Sequence, residues 1–333
     1  MKPFKVIGAK AVSQWLNNHG DKLLDSVADC YCEFEAGNTV CPDSYFLRYP
    51  EQPQNRIIAL PASIESEKEP VSGIKWIASF PDNLKSGLDR ASAVVILNDR
   101  ETGYPLACLE GSQISSFRTA ASAVLGAKYL HATPGKIENL SVVGSGLISH
   151  TIVKLLEQTG WQIDTMTVID LDIQRAQEFC AKFPHIEGKG SNDISDISKS
   201  DLVMFATSAI TPYVKDKALL AHNPTIIHMS LRDISAELIV DSQNFADDID
   251  HAIKANTSLE LAEQINGNRA FMGGNIVDLI KQRVKPDFNK PRVYSPFGMG
   301  ILDVLLGYRI YQDTTSDNSV EIEDFFPVPY SKN

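Results

Sequence analysis

No apolar run in this 333-residue chain approaches the ~20 residues that a membrane-spanning helix requires. Nor is there a cluster of Lys and Arg. The balance is acidic, with 31 Lys and Arg against 42 Asp and Glu and a formal net charge of −11. Neutralising phosphates takes clustered cations, so the charge argues against a nucleic-acid partner and disfavours an anionic membrane surface. An anionic ligand must therefore be held by a few local cations against the overall field. The N-terminal residues MKPFKVIGAKAVSQW lack the apolar core and small-residue cleavage site of a secretion signal. Cys30, Cys32, Cys41, Cys108 and Cys180 are odd in number and have no C-x-x-C spacing, so thiols in a reducing cytoplasm are expected. Seven histidines are scattered without the spacing of a metal site, and no metal is expected. Neither a G-x-S-x-G element nor a nucleophilic-cysteine motif is present. With 43% hydrophobic and 22% charged residues, the composition is that of a globular protein long enough for about two domains.

Apolar spacing predicts helices over residues 9–18 and 21–36. In the second, Leu24, Val27, Tyr31 and Phe34 recur at helical spacing and Gly37 supplies a stop. Short aliphatic and aromatic runs follow, at Tyr45–Tyr49, Arg56–Leu60, Ile74–Ser79, Ala93–Leu97 and Tyr104–Leu109. Turn-forming residues separate them, which is a strand pattern. ILNDRETGYPLACLE reads as a hairpin with Asn98 to Gly103 as its turn. A long helix is expected over 112–131. Strands at 140–143, 166–170, 202–206 and 225–230 then alternate with helices at 147–158 and 172–183. That alternation implies an α/β class with a parallel, doubly wound sheet. The acidic tail from Asp313 to Asp324 reads as a solvated surface segment.

The strand Leu140–Val143 runs directly into Gly144-Ser-Gly146-Leu-Ile-Ser149 and then an amphipathic helix. Gly144 allows a tight turn. Gly146 lets the backbone approach a pyrophosphate, which then sits on the helix N-terminus beside Leu147 and Ile148. Ser149, at the third turn position, is small but departs from the usual Gly or Ala. The next strand ends in Asp170, 26 residues after Gly144. A carboxylate there can accept from ribose hydroxyls and would repel a 2′-phosphate, which favours NAD over NADP. A strand-end turn residue or helix cap is the alternative for Asp170.

Three polar residues sit where apolar ones are expected. Arg118, at the margin of a helical stripe of Ile114, Ala121, Val124 and Leu125, needs an anion. That anion is either a substrate carboxylate or an internal Asp or Glu. Lys75 interrupts the strand Gly73-Ile-Lys75-Trp76-Ile77, unless it faces outward. Asp233 follows the strand TIIHMS at the carboxyl end of the sheet, where such folds place ligands, unless it caps a helix starting near Ser235.

These residues resemble the ornithine cyclodeaminase/μ-crystallin family over about residues 45–310. The shared pieces are Arg56-Ile-Ile-Ala-Leu-Pro61, the Lys75 segment, the ILND…TGYPLA hairpin and Arg118-Thr119-Ala-Ala. They continue with Gly144-Ser-Gly146, Ala206-Thr-Ser208, Asp233, and Gly298-Met-Gly300 followed by Asp303. The segments RIIALP, GIKWIAS, RASAVVILND and ISSFRTAA are most similar to members that serve siderophore biosynthesis. Those members oxidatively cleave N-(2-amino-2-carboxyethyl)-L-glutamate with NAD⁺. The resemblance implies a Rossmann-type NAD domain over residues 119–296. Residues 1–118 with 297–333 would form an α+β substrate and dimerisation domain, and a cleft would hold the chemistry of a homodimer. It implies that Arg118 and Lys75 bind the substrate α-carboxylate and that Asp233, with Lys75, handles protons. Thr119, Gly144, Gly146, Leu147, Ile148, Asp170, Thr207, Ser208, Ser230, Gly298 and Gly300 would contact NAD. Arg48, Arg56 and Arg90 are candidates for the far end of the substrate, with surface charge as the alternative. Ornithine cyclodeamination, alanine dehydrogenation, cyclic-imine reduction and non-catalytic ligand binding remain open.

Overall fold

The computed structural model describes residues 3–66 and 69–327. The residues up to Arg118 and from Met299 onward make one compact unit, and Thr119–Gly298 make another. Phe297 and Gly298 thus go with the second unit rather than with the C-terminal segment.

The first unit is built on a mixed eight-stranded sheet. Its spatial order is Val320–Ile322, Phe4–Ile7, Pro105–Glu110, Ala91–Asn98, Val71–Ser79, Gln52–Ile64 and Thr39–Val40, with Tyr45–Tyr49 also paired to Gln52–Ile64. Side chains alternate along these strands. One face carries Ala62, Lys75, Val95, Leu97, Ala107 and Leu109, all buried. The helix Gly300–Asp313 lies on that face. A Cβ at Gly300 would stand 3.2 Å from Leu60 Cβ, so a larger residue would crowd the sheet where the helix starts. The opposite face is partly open, with Tyr45 and Trp76 exposed.

The acidic tail is largely exposed, as expected of a solvated surface segment, and the structure adds two strands to the sequence reading. Part of the acidic tail is an edge strand, because Val320-Glu-Ile322 alternates apolar and polar residues and pairs antiparallel with Phe4–Ile7. Phe4 also stacks on Phe325 with ring centroids 4.2 Å apart. The strand Phe4–Ile7 itself, parallel to Pro105–Glu110, has no counterpart in the periodicity reading.

The second unit is a Rossmann-type doubly wound sheet. Its eight parallel strands run Glu187–Ser191, Gln162–Ile169, Lys136–Val143, Leu202–Phe205, Thr225–His228, Arg292–Tyr294, Gln243–Ala246 and Met272–Asn275. The helix expected over 172–183 spans only Ile173–Cys180, with the Asp172 side chain capping it through Gln174 N. Strand order reverses between Lys136–Val143 and Leu202–Phe205, which opens a crevice at their carboxyl ends. Gly144 and Ala206 both stand there. Among the described residues no helix is long and apolar enough to cross a membrane, and all five cysteines are thiols.

Candidate functional site

The turn after Lys136–Val143 is set by steric need. Gly144 has φ +93°, and a Cβ there would lie 2.6 Å from the Ala206 carbonyl oxygen. Ser149 explains its departure from Gly or Ala: it is buried, and its hydroxyl donates to the Gly144 carbonyl at 2.5 Å, tying the helix back to the turn. Gly146 caps the helix Leu147–Gln158 without a side-chain hydrogen bond, and a Cβ built there meets nothing within 4 Å. Its backbone is therefore open, and the first amides of an uncapped helix face an approaching anion. Leu147 is exposed and Ile148 half-buried beside it.

Asp170 is not a helix cap; Asp172 fills that role. The Asp170 carboxylate instead accepts from Ser145 N at 2.9 Å, Ser145 Oγ at 2.5 Å and Asp172 N at 3.1 Å. Burial opposes its charge, but the two Ser145 bonds hold the carboxyl below the ordinary aspartate range. An ionised acid thus stands against the glycine turn, beside the open Gly146 backbone. These residues fit a dinucleotide, with the phosphates at the helix N-terminus and a ribose at Asp170.

Asp233 belongs to the same unit and is fully buried. It does not cap the following helix, which starts at Ala236 with Ser235 at its N-cap. Its Oδ1 accepts from Thr207 Oγ1 at 2.5 Å and from Tyr213 OH at 2.9 Å, while Oδ2 accepts from Ser230 Oγ. His228 Nε2 stands 3.1 Å from Asp233 N and 3.2 Å from Oδ2, and its Nδ1 is 3.3 Å from Ser295 Oγ. A neutral ring accepts the backbone N–H, and a protonated ring donates to the carboxylate. Burial opposes the charge of Asp233, yet His228, Ser230 and Thr207 keep its carboxyl below the usual range. The Tyr213 phenol is pushed up by burial and by the Asp233 charge. Leu231 bridges this group with φ +66°, a strained conformation for leucine.

A second cluster lies in the first unit. Lys75, on a central strand, is 2% exposed, so it does not face outward. Its Nζ meets Asp303 Oδ2 at 2.6 Å and Ser115 Oγ at 3.1 Å. The Nε of Arg118 meets Asp303 Oδ1 at 3.3 Å. Arg118 therefore has an internal acidic partner, and that partner is shared. Asp303 is completely buried on the helix Gly300–Asp313. Desolvation pulls the Lys75 pKa down to about 8, partly countered by Asp303 and reinforced by Arg118. The helix Ser112–Leu130 that carries Ser115 and Arg118 begins where Glu110 accepts from Ser112 N at 2.6 Å and Gln113 N at 3.1 Å.

The remaining candidates are placed less centrally. Arg48 and Arg90 are exposed and Arg56 is half-buried. Thr119 is half-buried at the start of the second unit, and Ser208 is exposed. Gly298 has φ +91° and donates its N–H to Asp247 Oδ2 at 2.7 Å. Gly300 is accounted for by its packing on Leu60. Sequence reasoning assigned no role to Asp303, Ser145, Tyr213, His228 or Asp247. His228 had a local signal, since it ends the strand that leads to Asp233. Asp303 had none, because it meets Lys75 from 228 positions away. Among the described residues no group of three or more His, Cys, Asp or Glu is placed to hold a metal ion.

A family model described as "Ornithine cyclodeaminase/mu-crystallin family" matches residues 9–316. The chain is 29% identical to N-((2S)-2-amino-2-carboxyethyl)-L-glutamate dehydrogenase of Staphylococcus aureus, over 92% of this chain and 94% of that one. Among solved structures it resembles Δ1-pyrroline-2-carboxylate reductase of Thermococcus litoralis in complex with NADH and L-proline. The TM-score is 0.83 at 20% identity, covering 92% of this chain and 96% of the other. It also resembles an archaeal alanine dehydrogenase dimer with bound NAD, with a TM-score of 0.83 at 20% identity, covering 98% and 100% of the two chains.

Proposed function

The chain belongs to the ornithine cyclodeaminase/mu-crystallin family, and from that premise we propose that it is an NAD-dependent dehydrogenase of an amino-acid C–N bond. The substrate is N-(2-amino-2-carboxyethyl)-L-glutamate, and the products are L-2,3-diaminopropionate and 2-oxoglutarate. One observation carries the reading. Two cations, Lys75 and Arg118, share the single carboxylate of Asp303, so the group holds one positive charge in excess in a chain of net charge −11. A substrate carboxylate neutralises it.

Bound NAD⁺ supplies the hydride acceptor. The Gly144–Gly146 turn, the first turn of the following helix and Thr119 would hold its pyrophosphate, with Leu147 and Ile148 alongside. Asp170 would accept from the adenosine ribose. Thr207, Ser208 and Ser230 would serve the nicotinamide end, with Gly298 in the adjoining backbone. Arg118 grips the α-carboxylate with its terminal nitrogens, since its Nε is turned to Asp303. Lys75 adds the ammonium hydrogen left over by Asp303 and Ser115.

The glutamate-derived carbon loses a hydride and the bridging nitrogen a proton, which leaves a C=N bond. Water adds to that carbon, the C–N bond breaks with the electron pair going to nitrogen, and nitrogen is protonated. The net products are the keto acid, the diamino acid, NADH and one proton. Asp233 stays ionised at neutral pH, orients the attacking water and accepts its proton. Lys75, near pKa 8, is poised to return one.

The test is to incubate the protein with NAD⁺ and this substrate, follow NADH absorbance and weigh the products. NADH with diaminopropionate and 2-oxoglutarate is expected. Proline formed from ornithine without NADH accumulating would place the chain with the cyclodeaminases instead.

The unit that holds Lys75 presents an apolar row of cross-strand partners, Tyr45, Ala59, Trp76 and Val94, on its partly open sheet face. Tyr45 is 66% and Trp76 42% exposed. A second copy covering this face makes a homodimer. Sedimentation of Trp76→Glu as a monomer is the expected result.

A further inference from the structure

We propose that Ser145, the residue between the two glycines of the turn, forms with Asp170 a composite receptor for the adenosine ribose: Asp170 accepts from the 2′-hydroxyl and Ser145 Oγ accepts from the 3′-hydroxyl. The proposal rests on NAD as the cofactor, not on the substrate assigned above, and adds to that reading a residue that selects the ribose.

The first observation is the placement. Val143 and Ile169 are register partners on adjacent parallel strands, and Gly144 N donates to the Ile169 carbonyl at 2.8 Å. The two segments therefore leave the sheet side by side. That brings Ser145 and Asp170 together at the carboxyl edge, where such folds bind their ligands. Asp170 N is itself anchored to the Ser191 carbonyl at 3.1 Å. Ser145 and Asp170 are both half-buried, so each keeps a part open to a ligand.

The second observation is how the acceptors are used. An ionised carboxylate has about four lone-pair directions, two on each oxygen. Oδ2 of Asp170 gives both to Ser145, one to its N at 2.9 Å and one to its Oγ at 2.5 Å. Oδ1 gives one to Asp172 N at 3.1 Å. A single direction is left, on Oδ1. An adenosine ribose brings two neighbouring hydroxyls, and Asp170 has room for one. The 2′-hydroxyl is the one that an acid at this strand end receives.

The 3′-hydroxyl needs a second acceptor beside the first. The Ser145 hydroxyl directs its proton to Oδ2, so its own two lone pairs remain. Donating to an ionised group also polarises a hydroxyl and makes it a stronger acceptor. Ser149, in the same turn, shows the contrast. It is fully buried and donates to the Gly144 carbonyl, so it serves the fold alone. Ser145 is half-exposed, and its partner is the charged group that meets the ribose.

The test is fluorescence titration of the whole protein with NADH and with two analogues that lack the 2′- or the 3′-hydroxyl of the adenosine ribose. It reads each hydroxyl separately and needs no turnover. The wild type should bind each deoxy analogue about tenfold more weakly than NADH. In Ser145→Ala the 3′-deoxy analogue should bind as tightly as NADH, while the 2′-deoxy penalty stays near tenfold. Ser145→Cys, close in size but with a much weaker acceptor, carries the same test should the alanine variant not fold. A wild type indifferent to the 3′-hydroxyl overturns the proposal. So do two results in Ser145→Ala. A lower Tm with both penalties unchanged would make Ser145 a tie between strand ends, and loss of the 2′ penalty would make it only a prop for Asp170. A wild type that binds no NADH at all overturns the cofactor reading, and the receptor with it.

Discussion

The two buried acids, Asp303 in one unit and Asp233 in the other, sit in opposite surroundings. Asp303 is flanked by the cations Lys75 and Arg118. Asp233 is flanked by three hydroxyls, from Thr207, Tyr213 and Ser230, and by the imidazole of His228. In the first group the carboxylate is a counter-ion, and on the proposed reaction the working charge belongs to the cations around it. In the second, on the same proposal, the carboxylate is itself the working group, and the donors around it keep it ionised in spite of burial. A buried aspartate is thus read by its partners: cations in excess make a place for an anion, and neutral donors make a place for a proton acceptor.

The sharpest way to break this contrast is Asp303→Asn. It keeps the shape but leaves the buried Lys75 and the half-buried Arg118 uncompensated, and should destabilise the fold by about 3–5 kcal/mol, measured by urea unfolding. Substituting Lys75→Met in the same protein should restore much of that loss. A loss below about 1 kcal/mol would mean that water, not Asp303, compensates the pair.

Asp233→Asn should be milder for folding and harsher for turnover. Its neutral amide still accepts from Thr207 and Tyr213, while its NH₂ group faces Ser230, so a cost of about 1–3 kcal/mol is expected. It cannot accept a proton at neutral pH, and kcat should fall about a hundred-fold or more. Wild-type turnover would remove Asp233 from the chemistry and leave Lys75 as the proton carrier.

Arg118→Lys preserves charge and loses the fork. A loss in kcat/KM of about ten- to a thousand-fold, or about 1.4–4 kcal/mol, is expected with NADH affinity unchanged in a fluorescence titration. Normal kinetics in a less stable protein would make Arg118 purely a partner of Asp303.

The smallest effect is the dependence on pH. The Lys75 ammonium is present below about 8 and lost as pH rises through that value. The kcat/KM profile should therefore fall on its alkaline side near 8, and Lys75→Arg should move that limb upward. The sign for stability is opposite. Between about 8 and the ordinary lysine value of 10.5, the unfolded chain binds more protons at this position than the folded one, so stability rises with pH across that window. A flat alkaline limb in the wild type would detach Lys75 from substrate capture.

Much of the second unit was legible because its signals are local. The alternation of strands and helices, the Gly144 turn and the acid at Asp170 all fall within short windows of sequence. The strands Glu187–Ser191, Gln243–Ala246, Met272–Asn275 and Arg292–Tyr294 were not. Glu187–Ser191 reads EGKGS, without a β-branched residue, and is a strand because Gln162–Ile169 offers it an edge. Lys75 and Arg118 in the first unit and Asp233 in the second were visible as polar residues where apolar ones are expected, but their partners were not. Nothing within twenty residues of Lys75 announces Asp303. The cross-strand facing of Arg48 and Arg56 depends on a register that composition does not encode.

The separation of Lys75 from Asp303 also bears on the order in which the chain is made. Thr119–Gly298 is contiguous and can close on itself as soon as it has left the ribosome. The flanking unit cannot. Its central lysine waits for an aspartate synthesised 228 residues later, and its strand Phe4–Ile7 waits for the edge strand Val320–Ile322. During that interval the ammonium has no counter-charge and must stay in water, so the strands around it cannot bury their apolar face. The earliest residues to be translated are thus among the last to fold, and the middle of the chain matures first.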